Sequence, residues 1–214
     1  MPPLPKFAIF LDGGFVIKKF QQTLKRFPTA DDIEAVCGRI KEHADLQDRS
    51  LLRIYFYHAP PCKEVVTNPL NQSVVNLAAT PIHAQHESLL DALELRADFA
   101  LRLGETVVSD WRLGTKAMRS LLKQPRAIQA PDLVPNISQK GVDLRIGLDI
   151  ARLALRSMVE LIVVVTGDSD LIPTFKFARR EGLRVYLLTL GHGAKRDLKA
   201  HADRVLTLPS LPLT

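Results

Sequence analysis

Apolar residues fall along the chain in two rhythms, short unbroken runs and helical spacings, which alternate from one end to the other. Residues 6–11 (Lys-Phe-Ala-Ile-Phe-Leu) have the length of a buried strand and stop at Asp12-Gly13-Gly14. Residues 15–26 then predict a helix. A second helix is expected after Thr29, a suitable N-cap, with Asp31 and Asp32 in the first turn, where carboxylates suit the positive end of the helix dipole. Residues 51–58 are rich in β-branched and aromatic side chains and predict the second strand. Prolines and asparagines between residues 59 and 80 predict a long irregular connection.

Residues 83–103 carry Leu89, Leu93, Arg96 and Ala100 in helical rhythm, residues 106–109 are a short strand candidate, and a helix is expected after Gly114. Further on, a helix over residues 141–157, a strand over 161–166, a helix over 169–180 and a strand over 184–189 follow in close order. Residues 205–208 are a candidate for a last edge strand. Strands alternating with helices imply an α/β fold whose mainly parallel central sheet is covered on both faces. No internal repeat or domain boundary is visible. The expectation is a flexible lead-in over residues 1–5, which hold three prolines, one domain over 6–209 and a tail over 210–214.

The composition fits this picture: 46% hydrophobic and 24% charged residues exclude a disordered chain. The longest apolar run, residues 161–165, is far short of the roughly 20 residues of a membrane span. No charged segment leads an apolar one at the start, so a cytoplasmic protein with no membrane partner is expected. Cys37 and Cys62 make neither a disulfide framework nor a metal knuckle and fit a reducing compartment. A net charge of +6 favours an anionic partner such as nucleic acid.

In open parallel sheets ligands gather beyond the carboxyl ends of the strands. Two of the strands end in acid, the first at Asp12 and a later one at Gly167-Asp168-Ser169-Asp170. If they are neighbours, their carboxylates meet at one rim and repel each other unless a hard divalent cation, Mg²⁺ or Mn²⁺, lies between them. Helix capping accounts for only one of the polar residues Asp168, Ser169 and Asp170. Asp143 opens the helix after Lys140-Gly141-Val142. Arg145, Asp149, Arg152 and Arg156 form one polar face of it, and Asp143 points about 120° away from Asp149. Asp143 is therefore the stronger site candidate, and Asp149 is open to a salt bridge or a site role.

Arg112, Lys116, Arg119, Lys123 and Arg126 recur every three or four residues, as a basic stripe on a helix that Pro125 would end. Such a stripe is either a solvated face or, beside a carboxylate site, a flank for a phosphodiester substrate. His83 and His86 stand one turn apart and, with no third ligand in view, read as surface histidines rather than a zinc site. Gly191-His192-Gly193 ahead of Lys195 and Arg196 reads either as a phosphate cradle or as a turn.

Taken together, Phe-Ala-Ile-Phe-Leu-Asp-Gly-Gly near the start, Lys140-Gly-Val-Asp143 with Asp149, and Val-Val-Thr-Gly-Asp-Ser-Asp-Leu-Ile-Pro173 with Ala202-Asp203 resemble the NYN domain, in the LabA-like branch of the PIN-like nuclease superfamily. The resemblance implies a Rossmann-like three-layer α/β/α sandwich and metal-dependent cleavage of RNA. By position, Asp12, Asp143, Asp168 and Asp170 match the family's acidic cluster, and Asp149 a further recurrent acid. Phe15 stands where the family usually shows Asn.

The mechanism expected is phosphodiester hydrolysis with one or two Mg²⁺ or Mn²⁺ ions held mainly by Asp12, Asp143 and Asp168, with Asp170 as a further ligand or an orienter. Thr166 and Ser169 are candidates for hydrogen bonds to a phosphate, and Lys140 with Arg112, Lys116, Arg119 and Lys123 for holding RNA, single-stranded or looped. The rival on the same fold is an RNA-binding or regulatory protein with a slow site. A haloacid-dehalogenase-like phosphatase would need an acid where Gly14 stands, and a Rossmann nucleotide binder would need a Gly-x-Gly-x-x-Gly loop.

Overall fold

The structure, a computed structural model, describes residues 3–191 and 193–208. The run around Phe7 becomes β1 (Lys6–Asp12), and five consecutive side chains in it are buried, as expected of a strand covered on both faces. Asp12 ends the strand and caps α1 (Gly13–Leu24). Thr29 caps α2 (Ala30–Lys41) in a reciprocal capping box with Asp32. Next come β2 (Ser50–His58), a small hairpin of β3 (Val65–Thr67) and β4 (Val74–Asn76) inside the connection expected to be irregular, α3 (Pro81–Glu94) and β5 (Phe99–Leu103).

Beyond β5 lie β6 (Glu105–Leu113), α4 (Thr115–Lys123), β7 (Leu133–Lys140) and α5 (Val142–Leu155). The chain closes with β8 (Leu161–Val165), α6 (Ile172–Arg180), β9 (Arg184–Leu188), α7 (Arg196–Ala200) and β10 (Arg204–Leu206).

Six strands form the central sheet in the order β10-β9-β8-β1-β2-β5, every neighbouring pair parallel. Side chains of β1 alternate between two cores. Phe7, Ile9 and Leu11 meet Val16 and Phe20 of α1, Ile33 and Val36 of α2, and Leu89 and Leu93 of α3. Ala8 and Phe10 meet Ile146 and Ile150 of α5, Phe175 of α6 and Leu198 of α7 on the other face. The result is the three-layer α/β/α sandwich expected from the alternation of elements. Among the described residues no helix is long and apolar enough to cross a membrane.

β6 and β7 pair antiparallel in a sheet of their own, with α4 between them, so residues 105–140 form an arm leaving the body after β5 and returning at α5. This changes the reading of the basic stripe. Only Lys116, Arg119 and Lys123 share α4, whereas Arg112 lies on β6 and Arg126 lies past the helix, in a two-pronged ion pair with Asp132 at 2.6 and 2.7 Å.

The helical rhythm read through residue 103 stops at Glu94, and Ala100 lies on β5. The chain turns sharply between, with Asp98 at φ 65° and Arg96 anchored to Glu34 at 2.8 Å. His83 is buried and His86 half-buried, because α3 lays them against β2 rather than toward solvent. The first two residues of the lead-in, His192 of the glycine turn and the tail over 210–214 lie outside the described residues.

Candidate active site

β1 and β8 are neighbours, in register with Leu11 opposite Val165, so their next residues, Asp12 and Thr166, emerge side by side at the carboxyl end of the sheet. At this point the sheet order reverses: β2 and β5 continue to one side of β1, β9 and β10 to the far side of β8. A reversal of that kind opens a crevice, the place where such folds bind ligands.

Asp12 is held from two directions: its Oδ1 accepts the Phe15 backbone N–H at 3.1 Å, and its Oδ2 accepts the Thr166 hydroxyl at 2.9 Å. The same hydroxyl oxygen accepts the Asp168 N–H at 3.0 Å, and Oδ1 of Asp168 accepts the Asp170 N–H at 2.9 Å. Thr166 is fully buried, so its hydroxyl links two aspartates inside the protein and is not open to a phosphate. Gly13 lets α1 start at once: a Cβ there would fall 2.5 Å from the Tyr57 carbonyl oxygen. On the far side of the crevice Gly141, at φ 73°, turns the end of β7 into α5 and delivers Asp143 in the first turn.

The crevice has a volume of about 570 Å³ and is lined by Asp12, Asp143, Asp168 and Ser169. Lys18, Lys19 and Gln22 of α1, Gln139 of β7 and Lys195 also line it. Lys195 donates to the Ser169 hydroxyl at 3.3 Å. Phe15 lines it too, its ring so close to the backbone of Gly167 that a Cβ there would fall 2.6 Å from Cε2. Lys140 is exposed at the base of the arm opposite Glu105, between the lining residues Gln139 and Gly141.

Burial raises the Asp12 carboxyl above its ordinary value; the bonds from Phe15 and Thr166 oppose this, and the charges of Asp143 and Asp168 add to it. The Asp143 carboxyl is also raised, by partial burial and then by Asp168 and Asp170. Asp12 therefore feels Asp143 and Asp168, and Asp143 feels Asp168 and Asp170, which lies just past the lining residues Asp168 and Ser169. Among the described residues no three Asp, Glu, His or Cys side chains are close enough to hold an ion as they are placed. The donor set is nevertheless all carboxylate oxygen, the chemistry of a hard cation such as Mg²⁺ or Mn²⁺.

Asp149 stands apart. Its Oδ2 accepts from the Tyr57 hydroxyl and from Arg102 Nε, each at 2.9 Å, so of its two readings the structure displays the salt bridge. Burial and the Asp149 charge push the Tyr57 hydroxyl strongly upward, which keeps it a donor.

Sequence reasoning missed Lys18, Lys19, Gln22 and Gln139. Lys18 and Gln22 were accessible to it, since they stand four apart on the helix that begins directly after Asp12. Gln139 lies on a strand that the pattern did not reveal.

The NYN domain family model matches residues 105–209, a span that includes Asp143, Asp149, Asp168 and Asp170 and leaves out β1 with Asp12. Among solved structures, the chain is similar to a protein of unknown function from Vibrio parahaemolyticus, with a TM-score of 0.54, 16% identity, and coverage of 96% of this chain and 94% of that one. That likeness shows the fold. MurG from Acinetobacter baumannii also aligns, with a TM-score of 0.39, 13% identity, and coverage of 98% of this chain and 44% of the MurG chain. No curated protein matches the chain significantly.

Proposed function

The chain carries an NYN domain over residues 105–209, a nuclease-class module, and on that premise we propose that it hydrolyses RNA phosphodiester bonds with Mg²⁺ or Mn²⁺. One observation carries the reading: Asp12, from outside the matched span, lines one crevice with Asp143 and Asp168 at the reversal point of the sheet, and the charges of Asp143 and Asp168 add to the rise of its carboxyl. Asp12, Asp143 and Asp168 would hold the ion, with Asp170 as a further ligand or an orienter of Asp168. When bound, the ion acidifies a water and offsets the charge that builds on phosphorus.

The chain's own residues do the rest. Thr166 and the Phe15 N–H fix both oxygens of Asp12, so it meets the ion with one orientation. Ser169 and Lys195 stand together at the rim, where a phosphate oxygen can take their hydrogen bonds. Arg112, Lys116, Arg119, Lys123 and Lys140 line the arm as a track for the backbone of an RNA strand. Single-stranded or looped RNA suits this open crevice, since its unstacked backbone can bend into it. The protein would act in the cytoplasm, as one domain over residues 6–209 of the LabA-like branch.

The test is cleavage of an end-labelled single-stranded RNA with Mn²⁺, Mg²⁺ or EDTA, beside Asp168→Ala. Metal-dependent cutting that the variant lacks supports hydrolysis. Intact RNA that nevertheless shifts on a gel with both proteins supports the second reading, an RNA-binding protein with a slow site. That reading is favoured by the Phe15 ring packed on Gly167 at the mouth of the crevice.

A further inference from the structure

Next to the acidic crevice lies a second, smaller cavity of about 180 Å³, between the end of β2, the start of α3 and the base of the arm. Gln139 lines both, so one side chain separates the two spaces. Their chemistry is opposite. The crevice carries carboxylates and lysines, whereas Leu77, Ile82 and Ile137 give the cavity apolar walls.

Its polar groups are few and convergent. Gln139 Nε2 lies 3.4 Å from His58 Nδ1, and His58 Nε2 lies 2.9 Å from His86 Nδ1. With Gln139 donating, this chain assigns the shared proton to His58 Nε2. The two imidazoles stack with centroids 5.1 Å apart and an interplanar angle of 6°. Burial and the neighbouring His86 push His58 down to about 4, so at neutral pH it is uncharged. His83, only 6% exposed, also lines the cavity, and its Nε2 is buried with no hydrogen-bond partner among the described residues. A buried polar atom left unpaired costs about 1–3 kcal/mol and calls for an explanation.

We infer that this cavity takes one nucleobase of the same RNA strand whose phosphate lies in the acidic crevice, an inference that rests on the RNA reading above. The cavity is small beside the roughly 300 Å³ or more of a drug-sized site, which suits one flat ring system. Its mainly apolar walls suit a neutral base and not a phosphate. A base edge carries the donor or acceptor that His83 Nε2 lacks, and apolar and imidazole walls are the usual surroundings of an unstacked base. Gln139 fixes the order along the strand: the base in the cavity belongs to a nucleotide next to the phosphate in the crevice.

Affinity is read by fluorescence anisotropy in EDTA, so that binding is separated from cutting. The probes are a single-stranded RNA and a series of copies with one abasic nucleotide at successive positions. In the wild-type protein one position is expected to lose about tenfold in affinity when its base is removed, the size of one stacked base. Ile82→Trp, at a rim position 58% exposed, closes the mouth without touching the core, and His83→Phe removes Nε2 while keeping a ring. Both are expected to bind the intact RNA as weakly as the wild type binds the critical abasic copy, and to ignore that abasic site. Cys62, which also lines the cavity, is expected to alkylate more slowly with intact RNA than with that abasic copy.

A flat abasic series, or full discrimination kept by Ile82→Trp, overturns the inference. If the series is flat while Mn²⁺ still drives cleavage, the cavity reading falls and the nuclease reading stands. If one position matters and nothing is cut, the reverse holds. A protein that neither binds RNA in EDTA nor cuts it with Mn²⁺ overturns both.

Discussion

Thr166 donates its hydroxyl proton to Oδ2 of Asp12 at 2.9 Å, and this bond ties the ends of β8 and β1 together at the mouth of the crevice. Because Thr166 is fully buried, Thr166→Val keeps the shape and deletes both bonds of the hydroxyl, leaving the Asp12 carboxylate short of a donor and the Asp168 N–H short of an acceptor. The expected loss is about 1–3 kcal/mol of stability, with the Asp12 carboxyl raised further. Thr166→Ser should recover most of the loss. Urea unfolding decides it: equal stability of the Val and Ser variants would count against both bonds.

Two acids of the crevice, Asp12 and Asp143, oppose folding when they are ionised. Asp12 and Asp143 have raised carboxyls, so the folded chain holds their protons more tightly than the unfolded chain does. Their contribution to stability is greatest below the ordinary 3.8 and is lost as pH rises through the raised folded values. In EDTA at pH 7, Asp143→Asn is therefore expected to melt slightly higher than wild type, with the gain shrinking toward pH 4. Saturating Mn²⁺ should raise the wild-type midpoint and leave the variant almost unmoved. Scanning calorimetry with and without Mn²⁺ makes the check, and a variant less stable in EDTA would refute it.

Asp143 and Asp149 sit on one helix and should fail in different ways. Asp149→Ala strands the Tyr57 hydroxyl and Arg102, at an expected cost of about 2 kcal/mol, with cleavage per folded molecule unchanged. Asp143→Ala should keep the fold and lose at least about a hundredfold in cleavage. Thermal midpoints measured beside cleavage rates separate the two, and a hundredfold loss in Asp149→Ala would assign it to the site.

The arm sets a distance. Seven strand steps from Lys140 to Leu133 place α4 about 23 Å from the crevice. Replacing Lys116, Arg119 and Lys123 with Ala should weaken binding of a long RNA and flatten its log K against log salt slope by about 2. An RNA too short to bridge that span should be cut at the wild-type rate. Equal sensitivity of long and short RNAs would remove α4 from the substrate path.

Local chemistry made half of this site readable in the sequence. Asp12 and Asp168 each follow an apolar run of strand length, and Asp143 follows a glycine at a helix start, so their elements are plain. Whether the acids meet was not readable, because it depends on β1 lying beside β8. The ambiguity of Asp149 has the same origin: the partners that decide it, Tyr57 and Arg102, come from β2 and β5. β7 escaped the pattern because it is half-exposed, contains Pro135 and Asn136, and pairs with β6 across a bulge. With it went Gln139, which stands between the crevice and the cavity. His83 and His86 looked superficial because helical spacing gives a turn but not which side of the helix meets the sheet.

The central position of β1 also has a consequence in time. Asp12 and Thr166 are 154 residues apart in the chain, so at about 5–20 residues per second the ribosome finishes β8 roughly 8–30 s after β1. Until then one edge of a strand with five buried side chains has only water or a chaperone to pair with, and the nascent protein has no crevice. The acidic site is thus a late product of synthesis, absent from every shorter nascent intermediate.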